Sequence, residues 1–238
     1  MRSALALALS LAVAAAPVAR ASCAADAMIV FDGSASMARL GLDPAFPTRI
    51  ADARAALARA MPDVEPYRRI GLMTYGPGGA DGCSGIRLAF APRDGAAAPT
   101  IAEVEALRPE GRTPLTASVE AAADLLDYRA RPAVVVVVTD GDETCGGRPC
   151  DLAGRLNAQA ADLTVHVIGF RGEGRVFFWQ DPGRVRYAAD ATARCLSDRT
   201  GGLFVSTRTV DELVSALQRT LGCGLQSALP APARRLPA

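Results

Sequence analysis

The sequence predicts an α/β fold: a doubly wound, mostly parallel six-stranded sheet with one antiparallel edge strand and helices on both faces. Two observations support this fold class. Residues 28–31 and 134–138 are apolar runs without polar alternation, which is typical of strands buried on both faces. Strand-like and helix-like segments also alternate along the chain, as they do in parallel sheets.

Four further segments complete the predicted sheet. The apolar runs over 163–170 and 202–206 predict two more buried strands. Residues 70–75 and 86–90 flank a glycine-rich turn and predict a hairpin, whose second strand is the antiparallel edge. The sheet therefore has six strands.

Helical periodicity appears between these strands. Thr209 and Glu212 form a capping box that opens the last helix. Shorter helices are predicted near 101–107, 150–160 and 188–199. Two longer helices each place four apolar residues on one face: Ile50, Ala53, Leu57 and Met61 in the first, and Leu115, Val119, Ala122 and Leu126 in the second.

The ends of the chain predict an exported protein, either periplasmic or secreted. Residues 1–21 combine an early arginine, an apolar stretch and an Ala-x-Ala site ending at Ala21, as a signal peptide does. An uncleaved membrane anchor and lipidation at Cys23 are the alternatives. We expect one domain over 22–224 and a proline-rich, flexible tail over 225–238, with no transmembrane segment in the mature chain.

Charge composition excludes several classes of function. The chain of 238 residues has 26 basic and 25 acidic residues, so net attraction to nucleic acid is not expected. Every basic residue is arginine, and His166 is the single histidine. A phosphate-binding Walker lysine, a Schiff-base lysine and a metal site built from several histidines are therefore excluded.

Oxygen-bearing side chains follow two strands and precede one helix. Asp32, Ser34 and Ser36 follow the first strand, Thr113 lies before a helix, and Asp140 follows the fourth strand. Doubly wound sheets bind ligands at the carboxyl ends of their strands, where strand order reverses. Two carboxylates and three hydroxyls suit a hard divalent cation such as Mg²⁺, with Mn²⁺ and Ca²⁺ left open.

These residues resemble the metal-ion-dependent adhesion site of the von Willebrand factor type A family, which includes the integrin inserted domains. The Asp-x-Ser-x-Ser signature, the separate threonine and the Thr-Asp-Gly segment match in order. Residues 139–150 are also similar to a segment of exported bacterial members. The departures are Ala35, where glycine is more usual, and Asp142, where glutamate is commoner.

The resemblance implies a non-enzymatic, protein-binding module. In the family, the serine and threonine hydroxyls ligate the metal, and the aspartates ligate it directly or through water. An Asp or Glu of a protein partner then completes the metal's coordination. The sequence does not name that partner.

Other interpretations of the same residues remain open. Ser34 and Ser36 suit caps of the first helix, and Thr113 suits a helix cap before Pro114. Asp140 with Gly141 suits an ordinary turn. A phosphatase-like enzyme using Asp32 for phosphoryl transfer is the catalytic alternative, although it lacks a second carboxylate at position 34 and a lysine. His166 lies inside a predicted strand and is interpreted as a core residue rather than a general base. A module whose metal serves only stability is the third alternative.

Six cysteines in an exported chain predict disulfides. We expect Cys145 to pair with Cys150, because the four residues between them can close a local loop. A bond between Cys23 and Cys223 would join the ends of the domain, as in some family members. Cys83 and Cys195 would then remain to pair with each other.

The segment 171–186 carries Phe177, Phe178 and Trp179, and it is longer than most links between strand and helix. One hypothesis places these aromatic side chains at the metal-bearing end as anchors for the partner. The alternative is a flap that buries its own aromatic side chains.

Overall fold

The structure is a computed structural model that describes residues 25–39, 48–141, 143–170 and 193–222. Its strands are β1 (Asp26–Asp32), β2 (Ile70–Tyr75), β3 (Ile86–Arg93), β4 (Pro132–Thr139), β5 (Asp162–Phe170) and β6 (Phe204–Thr207). Its helices are α1 (Arg49–Val64), α2 (Ala97–Ala106), α3 (Leu115–Leu125), α4 (Pro149–Gln159), α5 (helical over 193–200) and α6 (Val210–Leu221). The predicted signal peptide, the tail, the bond between Cys23 and Cys223 and the Phe177–Trp179 segment lie outside the described residues.

The six strands form one sheet in the order β3-β2-β1-β4-β5-β6. Every neighbouring pair is parallel except β2 and β3, which are antiparallel. The predicted fold class is therefore confirmed, including the antiparallel edge strand. From β1 the chain continues to β2 on one side, and from β4 it continues to β5 on the other, so strand order reverses between β1 and β4.

Helices cover both faces of the sheet, which explains the continuous apolar runs. Ile29 and Phe31 of β1 pack with α1 and α6, whereas Met28 and Val30 pack with α3 and α4. The valines of β4 divide between the same two layers, and each is at most 8% exposed. A strand buried on both faces has no position for a polar side chain until it ends.

Local capping and tertiary contacts set the helix ends. The predicted cap of α6 by Thr209 is confirmed, since Thr209 Oγ1 accepts from Glu212 N at 3.1 Å. The Glu212 side chain differs from a capping box, because its Oε2 accepts from Arg208 N, one residue before the cap, at 2.7 Å. Helix α2 begins four residues earlier than the sequence predicts. Glu65 Oε2 accepts from Ala97 N at 2.7 Å, so a distant carboxylate supports a start that the apolar pattern does not mark.

The predicted disulfide between Cys145 and Cys150 is wrong. Cys145 is bonded to Cys83 of the hairpin loop, and Cys150 is bonded to Cys195 of α5. The hairpin loop packs against the segment before α3, since Arg112 N donates to Gly82 O at 2.9 Å. Because of this packing, Cys83 lies within bonding distance of Cys145, although the two are 62 positions apart in the sequence. The expectation that Cys83 pairs with Cys195 is wrong for the same reason.

Within the described ranges, each helix is too short or too polar to cross a bilayer.

Candidate metal centre

Two carboxylates meet where strand order reverses. Asp32 is the last residue of β1, and Asp140 directly follows β4. Parallel pairing aligns Phe31 with Val138, so the residues that follow them lie side by side. Thr139 Oγ1 accordingly donates to Asp32 Oδ2 at 2.7 Å.

Hydrogen bonds link the loop after β1 to Asp140. The backbone N–H of Ser34 donates to Asp32 Oδ1 at 2.8 Å. Ser34 Oγ and Ser36 Oγ lie 2.9 Å apart, and Ser36 Oγ donates to Asp140 Oδ1 at 2.7 Å. The structure thus brings four of the five candidate residues into one cluster.

Thr113, the fifth candidate, lies beside this cluster. A Cβ placed on Gly141 would be 3.6 Å from Ser36 Oγ and 3.9 Å from Thr113 Oγ1. The N-cap of α3 is Pro114 rather than Thr113, and Thr113 Oγ1 makes no hydrogen bond within the part of the chain that the structure describes. The hydroxyl is therefore available to a ligand and does not cap the helix.

The serines are not ordinary helix caps either. Ser34 is the N-cap of a single 3-10 turn over Ala35–Ala38, but its side chain accepts no capping hydrogen bond. Its hydroxyl contacts Ser36 instead. Both hydroxyls therefore point toward the cluster, which the helix-cap interpretation does not explain.

The cluster is buried but reaches the surface at one side. Asp32 is fully buried, and Ser34, Thr113 and Asp140 are each at most 4% exposed. Ser36 and Gly141 are partly exposed. The side of the cluster at Ser36 and Gly141 is therefore the one nearest to solvent.

Burial and charge repulsion act on Asp32. Burial, followed by the nearby charge of Asp140, raises the pKa of Asp32 to about 6. Hydrogen bonds from Ser34 and Thr139 act in the opposite direction and limit the rise. Two carboxylates held this close in a desolvated place are stabilised by a cation.

Arg49 supplies a positive charge at this place. Its Nη1 donates to Asp140 Oδ2 at 2.5 Å. The Asp140 side chain is fully buried, whereas the Arg49 side chain is 16% exposed. Arg49 is the first residue of α1, so the ion pair joins that helix to the end of β4.

Glycines allow three loops to cross backbone against backbone beside the cluster. Gly76 at the start of the hairpin loop and Gly111 before Thr113 both have positive φ, at 110° and 75°. A Cβ on Gly111 would lie 2.0 Å from Gly76 O, and one on Gly76 would lie 2.5 Å from Ser34 N. The hairpin loop, which the sequence indicated only as a turn, thus forms a wall of the site.

The donor set fits a hard divalent cation. Asp32 and Asp140 offer carboxylate oxygens, and the three hydroxyls offer neutral oxygens, the ligands that Mg²⁺, Mn²⁺ and Ca²⁺ prefer. Among the described residues, no group of three or more His, Cys, Asp or Glu side chains is placed to hold a metal ion. The candidate site is consistent with this finding, because only two of its five donors are carboxylates and the other three are hydroxyls.

A family model described as the von Willebrand factor type A domain matches residues 27–143. This chain carries a von Willebrand factor type A domain. The matched range starts in β1 and includes all five candidate metal-binding residues.

A relative matches this chain over part of its own length. YwmD, an uncharacterized protein of Bacillus subtilis (strain 168), is 32% identical over 118 residues, which is 48% of this chain and 46% of YwmD. The chain thus matches less than half of that relative's length.

Two solved structures share the fold of the type A domain. Proximal thread matrix protein 1 from the mussel byssus, with zinc in its MIDAS motif, has a TM-score of 0.54 and 14% identity, covering 84% of this chain and 48% of that chain. The pilus adhesin SpaC from Lactobacillus rhamnosus GG has a TM-score of 0.60 and 12% identity, covering 83% and 30%. At these identities the likeness shows the fold alone.

Sequence reasoning missed four residues around the type A domain's candidate site. Thr139 bonds to Asp32, and Arg49 bonds to Asp140. Glu143 and Thr144 contact the segment that carries Thr113. The resemblance of residues 139–150 to exported members marked three of them as a motif but gave them no role, and nothing in the sequence marked Arg49.

Proposed function

We propose that this type A domain holds a divalent cation, with Mg²⁺ as the first candidate, on Asp32, Ser34, Ser36, Thr113 and Asp140. The cation then binds an acidic group, an Asp or Glu side chain, of a protein partner. The module binds and does not catalyse.

One observation carries this proposal. Asp32 and Asp140 are buried together and linked through the Ser34 and Ser36 hydroxyls, with the Thr113 hydroxyl beside them. Each piece alone suits a cap or a turn, but the cluster they form concentrates negative charge away from water. A bound cation compensates that charge.

The number of protein ligands supports capture of an acidic group. Mg²⁺ prefers six oxygen ligands in octahedral geometry. Five protein side chains would leave one of these six positions for another ligand, and the site is partly exposed at Ser36 and Gly141. Because two carboxylates only balance the charge of a divalent ion, an anionic sixth ligand from a partner is favoured.

Burial of Asp32 counts against the phosphoryl-transfer alternative. A nucleophilic carboxylate must reach a phosphorus atom, yet Asp32 Oδ1 and Oδ2 accept hydrogen bonds from Ser34 N and Thr139 Oγ1, and the residue is fully buried. The chain also lacks lysine to stabilise a transferred phosphoryl group.

Export fits the cysteine chemistry. The four cysteines of the described residues form two disulfides, which persist in oxidising compartments. Together with the signal-peptide pattern of residues 1–21, they support a periplasmic or secreted location.

Calorimetric titration of Mg²⁺ into the oxidised, metal-stripped protein tests the metal site. We expect binding by the wild-type chain, none by Asp32→Ala, and at least about tenfold weaker binding by Thr113→Ala, because one neutral ligand is lost. Asp162→Ala, at the opposite end of the sheet, and Thr164→Ala are the matched controls and should bind like wild type. Equal binding by Asp32→Ala and wild type would contradict the proposal.

A second experiment separates partner capture from a purely structural metal. Immobilised wild-type and Thr113→Ala proteins are exposed to envelope and culture-medium proteins of the native organism, with Mg²⁺ or with a chelator. We expect a protein that is retained only by the wild-type chain with Mg²⁺ and is released by free glutamate. If Mg²⁺ raises the melting temperature but changes no retained protein, the metal serves stability alone.

A further inference from the structure

Thr113 is held by the loop that follows Asp140. Thr113 N donates to Thr144 Oγ1 at 2.8 Å, and Thr144 N donates back to Thr113 O at 3.0 Å. This reciprocal pair fixes the backbone of Thr113 on both sides of its Cα. The direction of the Thr113 hydroxyl follows from that backbone, since few rotamers are open to a β-branched side chain.

Glu143 ties the same loop to the start of α3. Its Oε2 accepts from Thr116 N at 2.7 Å, and its Oε1 accepts from Cys145 N at 2.7 Å. Helix α3 has no side-chain cap of its own, because its N-cap residue is Pro114. Glu143 therefore satisfies one of the free N–H groups of the helix and places negative charge at its positive end.

The hairpin loop also contacts the segment that carries Thr113. Arg112 N donates to Gly82 O at 2.9 Å, immediately before Thr113. The next hairpin residue, Cys83, is bonded to Cys145, immediately after Thr144. The hairpin loop is thus linked by a hydrogen bond to the residue before Thr113 and by a disulfide bond to the loop that contacts Thr113.

We propose that Glu143 and Thr144 are positioning residues that fix the Thr113 hydroxyl at the metal centre. This inference rests on the proposed function, because it assigns a role toward the cation that Thr113 would bind. Neither residue touches the metal. Each acts through the backbone of Thr113 or the first turn of α3.

The competing account is that these contacts only stabilise the fold. Thr209 offers a matched comparison, because it too is exposed and its Oγ1 accepts a backbone N–H, that of Glu212, at 3.1 Å. Valine has nearly the same shape as threonine but no hydroxyl, so replacing either threonine by valine removes one such hydrogen bond and little else. Only the change at Thr144 should affect the metal.

Mg²⁺ affinity of the oxidised full chain tests the positioning role. We expect Thr144→Val to weaken binding about tenfold, Thr144→Ser to bind within about twofold of wild type, and Thr209→Val to bind like wild type. Glu143→Ala should also weaken binding, which keeps the test decisive if Thr144→Val does not fold. Unchanged affinity in folded Thr144→Val and Glu143→Ala would overturn the positioning role.

A double-mutant cycle shows whether Thr144 acts through Thr113. The doubly substituted Thr113→Ala/Thr144→Val protein should bind Mg²⁺ no more weakly than Thr113→Ala, because the hydroxyl to be positioned is already gone. Additive losses would overturn the inference. Absence of binding by the wild-type chain would contradict the proposed function itself, whereas wild-type binding with additive losses contradicts only the positioning role.

Discussion

Arg49 Nη1 lies 2.5 Å from Asp140 Oδ2, and this ion pair joins the first turn of α1 to the candidate metal centre. The guanidinium and a divalent cation are both attracted to the same buried carboxylate. The ion pair therefore bears on how tightly the site holds a metal.

We predict that Arg49→Gln raises Mg²⁺ affinity while lowering the stability of the metal-free protein. Removing the guanidinium removes a competitor for Asp140, worth roughly 1 kcal/mol or about fivefold in affinity. It also leaves a buried carboxylate without its partner, which costs about 1–3 kcal/mol of unfolding free energy. Calorimetry and thermal melts with and without Mg²⁺ measure the two effects.

Arg59→Gln is the control for that experiment. Arg59 lies on the same helix but forms an exposed ion pair with Asp211, with side chains 54% and 80% exposed. Arg59→Gln should change neither the Mg²⁺ affinity nor the stability of the metal-free protein, since exposed ion pairs contribute little. Weaker Mg²⁺ binding by Arg49→Gln would show instead that Arg49 assists the metal.

Substitution of Gly111 should disturb both the fold and the metal centre. A Cβ at Gly111 would lie 2.0 Å from Gly76 O, so Gly111→Ala must separate the hairpin loop from the segment before Thr113. We expect a loss of more than about 2 kcal/mol of unfolding free energy and weaker Mg²⁺ binding.

Gly146→Ala separates backbone strain from this collision. Gly146 has a φ of 82°, yet a Cβ there would meet nothing within 4 Å. Its substitution should cost only about 1 kcal/mol and leave Mg²⁺ binding unchanged. Equal effects of the two alanine variants would mean that the backbone crossing does not support the site.

The two disulfides should differ in their effect on metal binding. Replacing Cys83 and Cys145 by serine should lower the unfolding free energy by about 2–4 kcal/mol and weaken Mg²⁺ binding, because this bond ties the hairpin loop to the residue after Thr144. Replacing Cys150 and Cys195, which join α4 to α5, should lower stability alone. Denaturant unfolding and calorimetry give the two quantities.

Peptide mapping without reduction checks the premise of that prediction. It should yield linked peptides that contain Cys83 with Cys145 and Cys150 with Cys195. A peptide linking Cys145 to Cys150 would contradict the structure. Equal metal affinity of the two double-serine variants would contradict the role assigned to the bond at Cys83.

His166 should make the domain less stable in mild acid. Burial lowers the pKa of His166 to about 4, with the positive charge of Arg68 acting in the same direction. Its Nδ1 accepts from Leu203 N at 3.0 Å, so the folded state requires the neutral ring. The unfolded chain takes up a proton on this ring near pH 6.5, whereas the folded protein does not do so until about pH 4. The contribution of His166 to the unfolding free energy is therefore fully present above about pH 6.5 and is lost as the pH falls to about 4.

The size of the His166 contribution is on the order of 3 kcal/mol across that pH interval. His166→Asn keeps an acceptor for Leu203 N but does not titrate. The unfolding free energy of this variant should therefore decline less between pH 6.5 and 4 than that of wild type, as measured by urea unfolding at several pH values. Parallel pH profiles of the two proteins would exclude His166 as the cause.

Much of the fold could be predicted from the sequence because burial leaves a plain pattern. The five valines of β4 are apolar because both faces of that strand are covered, and the cap of α6 by Thr209 is a local contact. Asp32 and Asp140 were predictable as neighbours because parallel strands end at one edge. Each of these inferences depends on short-range sequence alone or on a general rule of sheet topology.

The remaining features depend on contacts between distant segments. The early start of α2 depends on Glu65, and the pairing of Cys145 depends on where the hairpin loop lies. Arg49 lies 91 positions from Asp140, and no spacing pattern connects them. Such pairs are set by tertiary packing, which propensity and periodicity do not encode.

A crystal of the oxidised protein soaked in Mn²⁺ tests the central claim most directly, because anomalous scattering locates that ion. The account predicts one peak about 2.0–2.6 Å from the Ser34 and Ser36 hydroxyls, with Asp32 and Asp140 bound directly or through one water. No peak between β1 and β4, with Asp140 still paired to Arg49, would contradict it. So would a peak held by other side chains.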